Sequence, residues 1–187
     1  LVTSDRGVQV NLDFMGNTTF FDATHPQARQ FVWETVKKNY YDLGIKLFWL
    51  DEAEPEYRAY DFDNYRYHAG PVLEVGNRYP RDFAQGFYDG LREAGERDIV
   101  NLVRCSWAGR QRYGVLAWSG DVHSSFHAFR NQLAAGLNMG LAGIPWWTTD
   151  IGGFQGGNIH DPAFHELLIR WFQWAVFCAV LRMHGYR

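Results

Sequence analysis

GIKLFWLDEAEPEY, residues 44–57, runs from a glycine through an apolar stretch straight into four carboxylates, Asp51, Glu52, Glu54 and Glu56. Residues 45–51 read as a short strand, apolar and bounded by a turn residue on one side and a charged loop on the other. An acidic cluster at the tip of such a strand is either a solvated loop or the place where one acid does chemistry.

Working outward, the chain alternates helical and strand patterns. Thr24 can cap a helix with Pro26 in its first turn, and Ala28, Phe31, Val36, Tyr40 and Leu43 recur at helical spacing up to Gly44. Pro80 opens a second helix with Phe83, Phe87 and Leu91 on one face and Gly95 at its end. DIVNLVRCSW (98–107) and GVLAWSGD (114–121) read as strands, and 125–139 as a helix ending near Gly140. GIPWWTTD (143–150) is strand-like, Asp161-Pro162 begins a helix through Trp174, and FCAVLRMHG (177–185) reads as the last strand. Short strands that are apolar on both sides and separated by helices predict an α/β fold with a parallel sheet covered on both faces. The connection CSWAGRQRYG (105–114) is near the lower limit for a parallel crossover, so a short helical turn or irregular loop is expected there. No internal repeat, low-complexity segment or domain linker interrupts the pattern.

The chain has 187 residues, enough for one domain with a core and fewer than the about 250 of a complete (β/α)8 barrel. Its net charge of −3, with both signs interspersed, points to neither nucleic acid nor an anionic membrane as partner. No apolar run approaches the about 18 residues needed to span a bilayer. Cys105 and Cys178 make no disulfide framework or finger spacing and are expected as buried, reduced thiols. Eight tryptophans and an aromatic share of 17% serve a core first, and near acids also suit stacking on sugar rings. The chain opens on LVTSDRG and closes on VLRMHGYR, so both ends are expected to be cut from a longer polypeptide, and the compartment is not legible.

Predicted strands end in Asp51, Arg104, Asp121, Asp150 and His184. In a parallel α/β sheet or barrel all C-terminal strand ends share one face, where active sites are built. Asp51 emerges after Trp49-Leu50, and Asp121 follows Ser119-Gly120, whose glycine lets the loop bring a carboxylate close to substrate. Two carboxylates at strand ends suit glycoside hydrolysis, one attacking the anomeric carbon and one protonating the leaving oxygen. The same spacing is also met by loop acids or helix caps. Arg104 could pair with a rim carboxylate and hydrogen-bond sugar hydroxyls. His123 and His127 stand four apart on a helix but lack the glutamate of a zinc-protease helix, so no metal is assigned. DIGGFQGGN (150–158) does not match a dinucleotide fingerprint, and GRQRYG lacks a phosphate-loop lysine; a tightly turned or mobile rim loop accounts better for the glycines. Of Trp118, Trp146, Trp147 and Phe154, near the acids, one or two are expected in the core, because strand residues alternate faces.

FWLDEAEPE, RCSWAGRQRYGVLAWSGD, IPWWTTDIGGF and RMHG, in that order, resemble glycoside hydrolase family 31, and the resemblance runs from FFDATHP (20–26) to RMHG (182–185). It implies a (β/α)8 barrel, here incomplete and covering strands four to eight across residues 1–187, with the N-terminal strands and final helix missing. It further implies a retaining exo-α-glycosidase without metal or organic cofactor. On this resemblance Asp51 is the nucleophile and Asp121 the general acid/base; Arg104, Trp118, Asp150, Phe154, His184 and Trp49 bind substrate, and Glu54 supports. The acids next to Asp51 would face solvent or orient partners. Like charges raise a carboxylate's pKa, so a cation such as Arg104, or hydrogen bonds, are expected to offset them at Asp51. The substrate is an oligosaccharide or glycoside ending in α-linked xylose or glucose. WLDEAEPEYRAYDFDNYRYHAG (49–70) is closer to α-xylosidase-like bacterial members than to maltase-like ones. A transglycosylase with the same pair and a non-catalytic sugar-binding barrel fragment are the alternatives.

Overall fold

The computed structural model describes residues 1–13, 17–55, 57 and 61–186; Glu56 of the acidic cluster lies outside these. The chain divides into two compact units, Leu1–Val115 and Leu116–Arg187.

The first unit opens with β1 (Thr3–Ser4), β2 (Asn11–Asp13) and β3 (Asn17–Thr19), followed by α1 (Pro26–Asn39). Then come β4 (Trp49–Leu50), β5 (Tyr65–Tyr67), β6 (Gly70–Pro71), α2 (Val72–Val75), α3 (Tyr79–Glu93) and β7 (Asn101–Val103). Proline opens α1 as expected, but the cap is His25, whose Nδ1 accepts the Gln27 N–H at 3.2 Å. Thr24 is held instead by Asp22, to which it donates from Oγ1 at 2.7 Å. Two lysines in the last turn, Lys37 and Lys38, favour the negative end of the helix dipole. α1 buries Trp33, whereas Phe31 on the expected apolar stripe is 70% exposed. Trp33 lies against α3 where Gly90 has no side chain; a Cβ there would stand 2.1 Å from the ring.

β4 pairs in parallel with β7, Trp49 opposite Leu102 and Leu50 opposite Val103. From Leu47 to Asp51 the side chains alternate between the two faces. Phe48 meets the rings of Trp33 at 6.3 Å and Phe87 at 5.5 Å, and Leu50 is buried, so this side faces the helices. Ile45, Leu47 and Trp49 point the other way and stay open. Asp51 continues that open side.

A small antiparallel sheet, β1-β5-β6, was not foreseen. Its side chains build a second core with Val2, Val10, Phe20, Tyr57, Tyr65, Tyr67 and Tyr79. Its tyrosines sit among charged residues, so the sequence shows no clean alternation there.

β8 (Val115–Trp118) begins at the last residue of the first unit and continues in the second, which also contains α4 (Phe126–Leu141), β9 (Trp147–Thr148) and α5 (Pro162–Ala175). β8 and β9 are parallel, Ala117 opposite Trp147 and Trp118 opposite Thr148. Ser125 caps α4 by accepting the Ala128 N–H at 3.1 Å, and Asp161 caps α5 through the Ala163 N–H at 2.9 Å. Trp147 fills the space between Gly136 of α4 and Trp174 of α5, with ring centroids 5.9 Å apart in the tryptophan pair. Trp171 stacks on Phe129 at 5.0 Å and is fully buried with Ile151, Leu167 and Ala175. The connection 105–114 contains a 3-10 turn at Arg110–Tyr113, as its length required.

One expected strand does not form. FCAVLRMHG follows α5 through a turn into extended chain with no ladder. It accepts the Ile151 N–H at Arg182 O, 3.2 Å, and the Thr148 Oγ1 hydroxyl at Val180 O, 2.6 Å. The other strands are also shorter than their apolar runs, because a ladder needs a partner along its whole length. Family-level barrel features are present as parallel pairs and covering helices, and among the described residues no ladder closes a barrel. No helix among them is long and apolar enough to cross a membrane.

Candidate active site

The chain turns sharply where β4 ends. Asp51 Oδ1 accepts the Glu52 N–H at 3.0 Å, and Glu52 takes a left-handed backbone, φ +53°, which disfavours non-glycine residues. Beyond it, Ala53, Pro55 and Tyr57 are buried, and Glu52 and Glu54 point to the opposite side. There they meet Arg104, just beyond β7. Its Nε donates to Glu54 Oε1 at 2.6 Å, its Nη1 lies 3.0 Å from Glu52 Oε1, and Nε lies 3.6 Å from Asp51 Oδ1. Of the two expected roles, Glu52 and Glu54 take the second: they clasp one guanidinium, whose planar fork can serve several carboxylates at once.

Burial opposes the charge on Arg104, but the bond to Glu54 and the fields of Glu54, Glu52 and Asp51 outweigh it and hold its pKa above the ordinary value. Asp51 keeps 44% of its side chain exposed while Arg104 keeps 12%, so the cation is fixed from behind and the carboxylate stays reachable. Beside this group, burial and the Glu54 carboxylate push the Cys105 thiol up to about 12. Arg110 is 1% exposed, and burial lowers it to about 10. Trp49, on the same open face as Asp51, is half exposed.

The second unit assembles a separate set. Asp121 is exposed on the turn after β8, entered through Gly120 at φ +74°. Trp118 is buried, and the Arg182 guanidinium lies 5.1 Å over its ring. Arg182 also bonds the carboxylate of Asp150, which is fully buried. Asp150 is thus a paired internal charge rather than a group open on a pocket. Phe154 and His184 stack with centroids 5.3 Å apart and planes at 26°. The glycine-rich loop that carries Phe154 is tightly tied. Phe154 N–H donates to Val122 O at 2.7 Å, Ser124 N–H to Gln155 O at 2.8 Å, and Tyr186 N–H to Phe154 O at 2.7 Å. Those bonds connect the loop to the residues that follow Asp121 and to the segment that carries His184.

Sequence reasoning missed Arg182 and Glu52. The signal for Arg182 was a lone charge in the apolar run VFCAVLRMHG; for Glu52 there was none, since its role depends on a left-handed turn that its side chain does not advertise. Among the described residues no group of three or more His, Cys, Asp or Glu side chains could hold a metal ion.

Over residues 1–187 the chain matches the model of the glycosyl hydrolases family 31 TIM-barrel domain. The chain belongs to glycosyl hydrolase family 31. Among its family 31 relatives is the uncharacterized family 31 glucosidase ORF2 of Pseudescherichia vulneris, 95% identical over the whole chain and 35% of that protein. An α-xylosidase of Saccharolobus solfataricus is 40% identical over 90% of this chain and 24% of its own length. The crystal structure of a family 31 α-xylosidase from a soil metagenome, complexed with xylose, superposes with a TM-score of 0.97 at 73% identity. It covers all of this chain and 28% of that one. This family 31 chain therefore spans about a third or less of the length of these relatives.

Proposed function

We propose that this chain is the strand-four-to-eight part of the catalytic barrel of a retaining exo-α-glycosidase, which releases a terminal α-linked sugar from an oligosaccharide. Asp51 is the nucleophile and Asp121 the general acid/base, with Arg104, Trp49, Trp118, Asp150, Phe154 and His184 binding the sugar or holding the groups that do. The observation that carries this reading is the arrangement at the end of β4: an accessible Asp51 on the open face of the strand, with Arg104 fixed behind it by Glu52 and Glu54. The guanidinium sets a fixed positive charge 3.6 Å from the carboxylate that attacks.

In the first step Asp121 gives its proton to the glycosidic oxygen while the Asp51 carboxylate attacks the anomeric carbon. The bond to the leaving oxygen breaks with its electron pair, and a glycosyl ester forms on Asp51. In the second step Asp121 takes a proton from water, the water oxygen attacks the anomeric carbon, and Asp51 departs as carboxylate. Two inversions retain the anomer. The α-xylosidases among the relatives favour xylose as the sugar released, with glucose second.

The test is an assay of a full-length polypeptide carrying this segment on aryl α-xyloside and aryl α-glucoside, beside its Asp51→Ala variant. Turnover of one glycoside that drops at least about 10⁴-fold in the variant is expected. A folded full-length protein inactive on both would overturn the reading.

A further inference from the structure

Wherever the described backbone takes a positive φ, the residue is glycine, except at Glu52, φ +53°. A side chain is disfavoured there because its Cβ crowds the following carbonyl, whereas glycine would take the turn freely. The position carries a side chain nonetheless, directly after Asp51 at the end of β4. Strain kept at such a place persists only where the surroundings hold it, and it marks the residue as one with a task. Here the strand ladder and the side chain hold the turn together. With Leu50 opposite Val103, the next residues, Asp51 and Arg104, leave their strands side by side. Glu52 Oε1 then reaches Arg104 Nη1 at 3.0 Å, and the following residue, Ala53, is buried. The chain is pinned on both sides of the left-handed residue.

The turn acts on one atom of Asp51. The Glu52 N–H is directed back at Oδ1, 3.0 Å away, and Arg104 Nε lies 3.6 Å from the same oxygen. No described residue bonds Oδ2, although the Asp51 side chain is 44% exposed and open to a ligand. The difference matters because the last torsion of an aspartate is broad and nearly two-fold. Left alone, the carboxylate turns and its two oxygens exchange places. A donor fixed on Oδ1 stops that rotation and presents Oδ2.

Resting on the glycosidase reading above, we infer that Glu52 is a positioning residue and that its left-handed turn assigns Oδ2 of Asp51 as the attacking oxygen. Oδ2 gives the electron pair that forms the bond to the anomeric carbon. The bond to the glycosidic oxygen breaks onto that oxygen, which takes the Asp121 proton. In the ester so formed Oδ1 is the carbonyl oxygen and still accepts the Glu52 N–H. When water attacks the anomeric carbon and gives its proton to Asp121, Oδ2 departs with the electron pair, and the same bond on Oδ1 readies the next cycle. One backbone donor thus keeps the carboxylate in a single orientation through both steps. Glu52 acts through Asp51 and Arg104.

The experiment replaces Glu52 by alanine, glycine and glutamine in a full-length polypeptide carrying this segment. It measures kcat and KM on the aryl α-glycoside that the unmodified protein turns over, with Tm alongside. Glu52→Ala gives up the hold on Arg104 and lets the turn relax out of the left-handed region. Its kcat is expected to fall about 10²-fold with KM little changed, the loss that follows from misplacing a reacting group by about 1 Å. Glu52→Gly also lacks the carboxylate but adopts the turn without strain, so it should lose only about tenfold and melt no lower than the alanine variant. Glu52→Gln keeps an oxygen for Arg104 and should likewise stay about tenfold faster than alanine. A glycine variant no faster than alanine, a glutamine variant as slow as alanine, or a loss carried by KM overturns the role of the turn while the glycosidase reading stands. An unmodified protein inactive on aryl α-glycosides defeats that reading, and the role of Glu52 with it.

Discussion

With Arg104 bonded to Glu54, 3.0 Å from Glu52 and 3.6 Å from Asp51, its replacement by methionine would leave three carboxylates facing one another. Breaking a fully buried pair costs about 3–5 kcal/mol; here the acids are 30–44% exposed, so a loss of about 2 kcal/mol is expected in urea unfolding. The same change should lower kcat/KM, because the guanidinium 3.6 Å from Asp51 no longer holds that carboxylate in place; an unchanged kcat/KM would show that Arg104 does not position Asp51. Arg110 poses the opposite case. It is a buried cation whose pKa has fallen to about 10, next to a thiol raised to about 12. Arg110→Met is expected to leave stability unchanged or raise it by about 1 kcal/mol, because an apolar side chain needs no hydration. Cys105 should resist thiol reagents at pH 8 in the folded protein and react on unfolding, as its thiolate is scarce.

Helix α1 packs on α3 because Gly90 makes room for Trp33. In Gly90→Ala the new methyl would fall 2.1 Å from the ring, and a tryptophan wedged between helices cannot swing clear. Overpacking of this kind typically costs about 1–3 kcal/mol, read as a lower Tm, and a double variant with Trp33→Phe should recover part of it. The far ends of the two helices are joined by Glu96, which accepts from the Tyr41 hydroxyl at 2.8 Å and lies 2.6 Å from Lys46 Nζ. The Lys46 and Tyr41 bonds hold its carboxyl below the ordinary value of 4.5. A depressed carboxyl stabilises above the unfolded pKa and loses that contribution as pH falls through the folded one. Glu96→Gln should therefore lower stability at pH 7, where the ionised carboxyl contributes, and differ little from the unmodified protein at acid pH below the folded value, so its acid decline is shallower. An identical acid decline in the variant would remove Glu96 from the account.

For the molecule as a whole, the open side of β4 and the helices of the second unit leave large apolar groups in water. Leu47 is 72% exposed in the first unit, and Leu137, Leu141 and Phe177 are 67%, 88% and 87% exposed in the second. β4 and β9 each pair along one edge among the described residues. Exposed apolar faces and unpaired edges attract other chains. The 187-residue chain on its own is expected to bind a hydrophobic dye and self-associate in gel filtration, whereas a full-length polypeptide carrying it should do neither. A monomeric, dye-silent 187-residue chain would contradict this.

The starts of the four long helices and their alternation with the parallel strands were legible in the sequence alone, because they rest on local rules. Pro26, Ser125 and Asp161-Pro162 open helices through backbone groups a few residues away, and Gly95 closes one. The candidate acids were legible for the same reason: each lies within three residues of the end of an apolar run. Only tertiary structure decided the pairings. Nothing near Arg104 in the chain names Glu52 and Glu54 as its partners, and nothing near Asp150 names Arg182, 32 residues on. The apolar run at 177–185 became extended chain rather than strand, and the tyrosines of β5 became a core, since ladders and burial depend on neighbours distant in sequence. Local chemistry writes caps and turns into adjacent residues; which charges meet, and which face of a strand stays open, follows from packing that no short stretch contains.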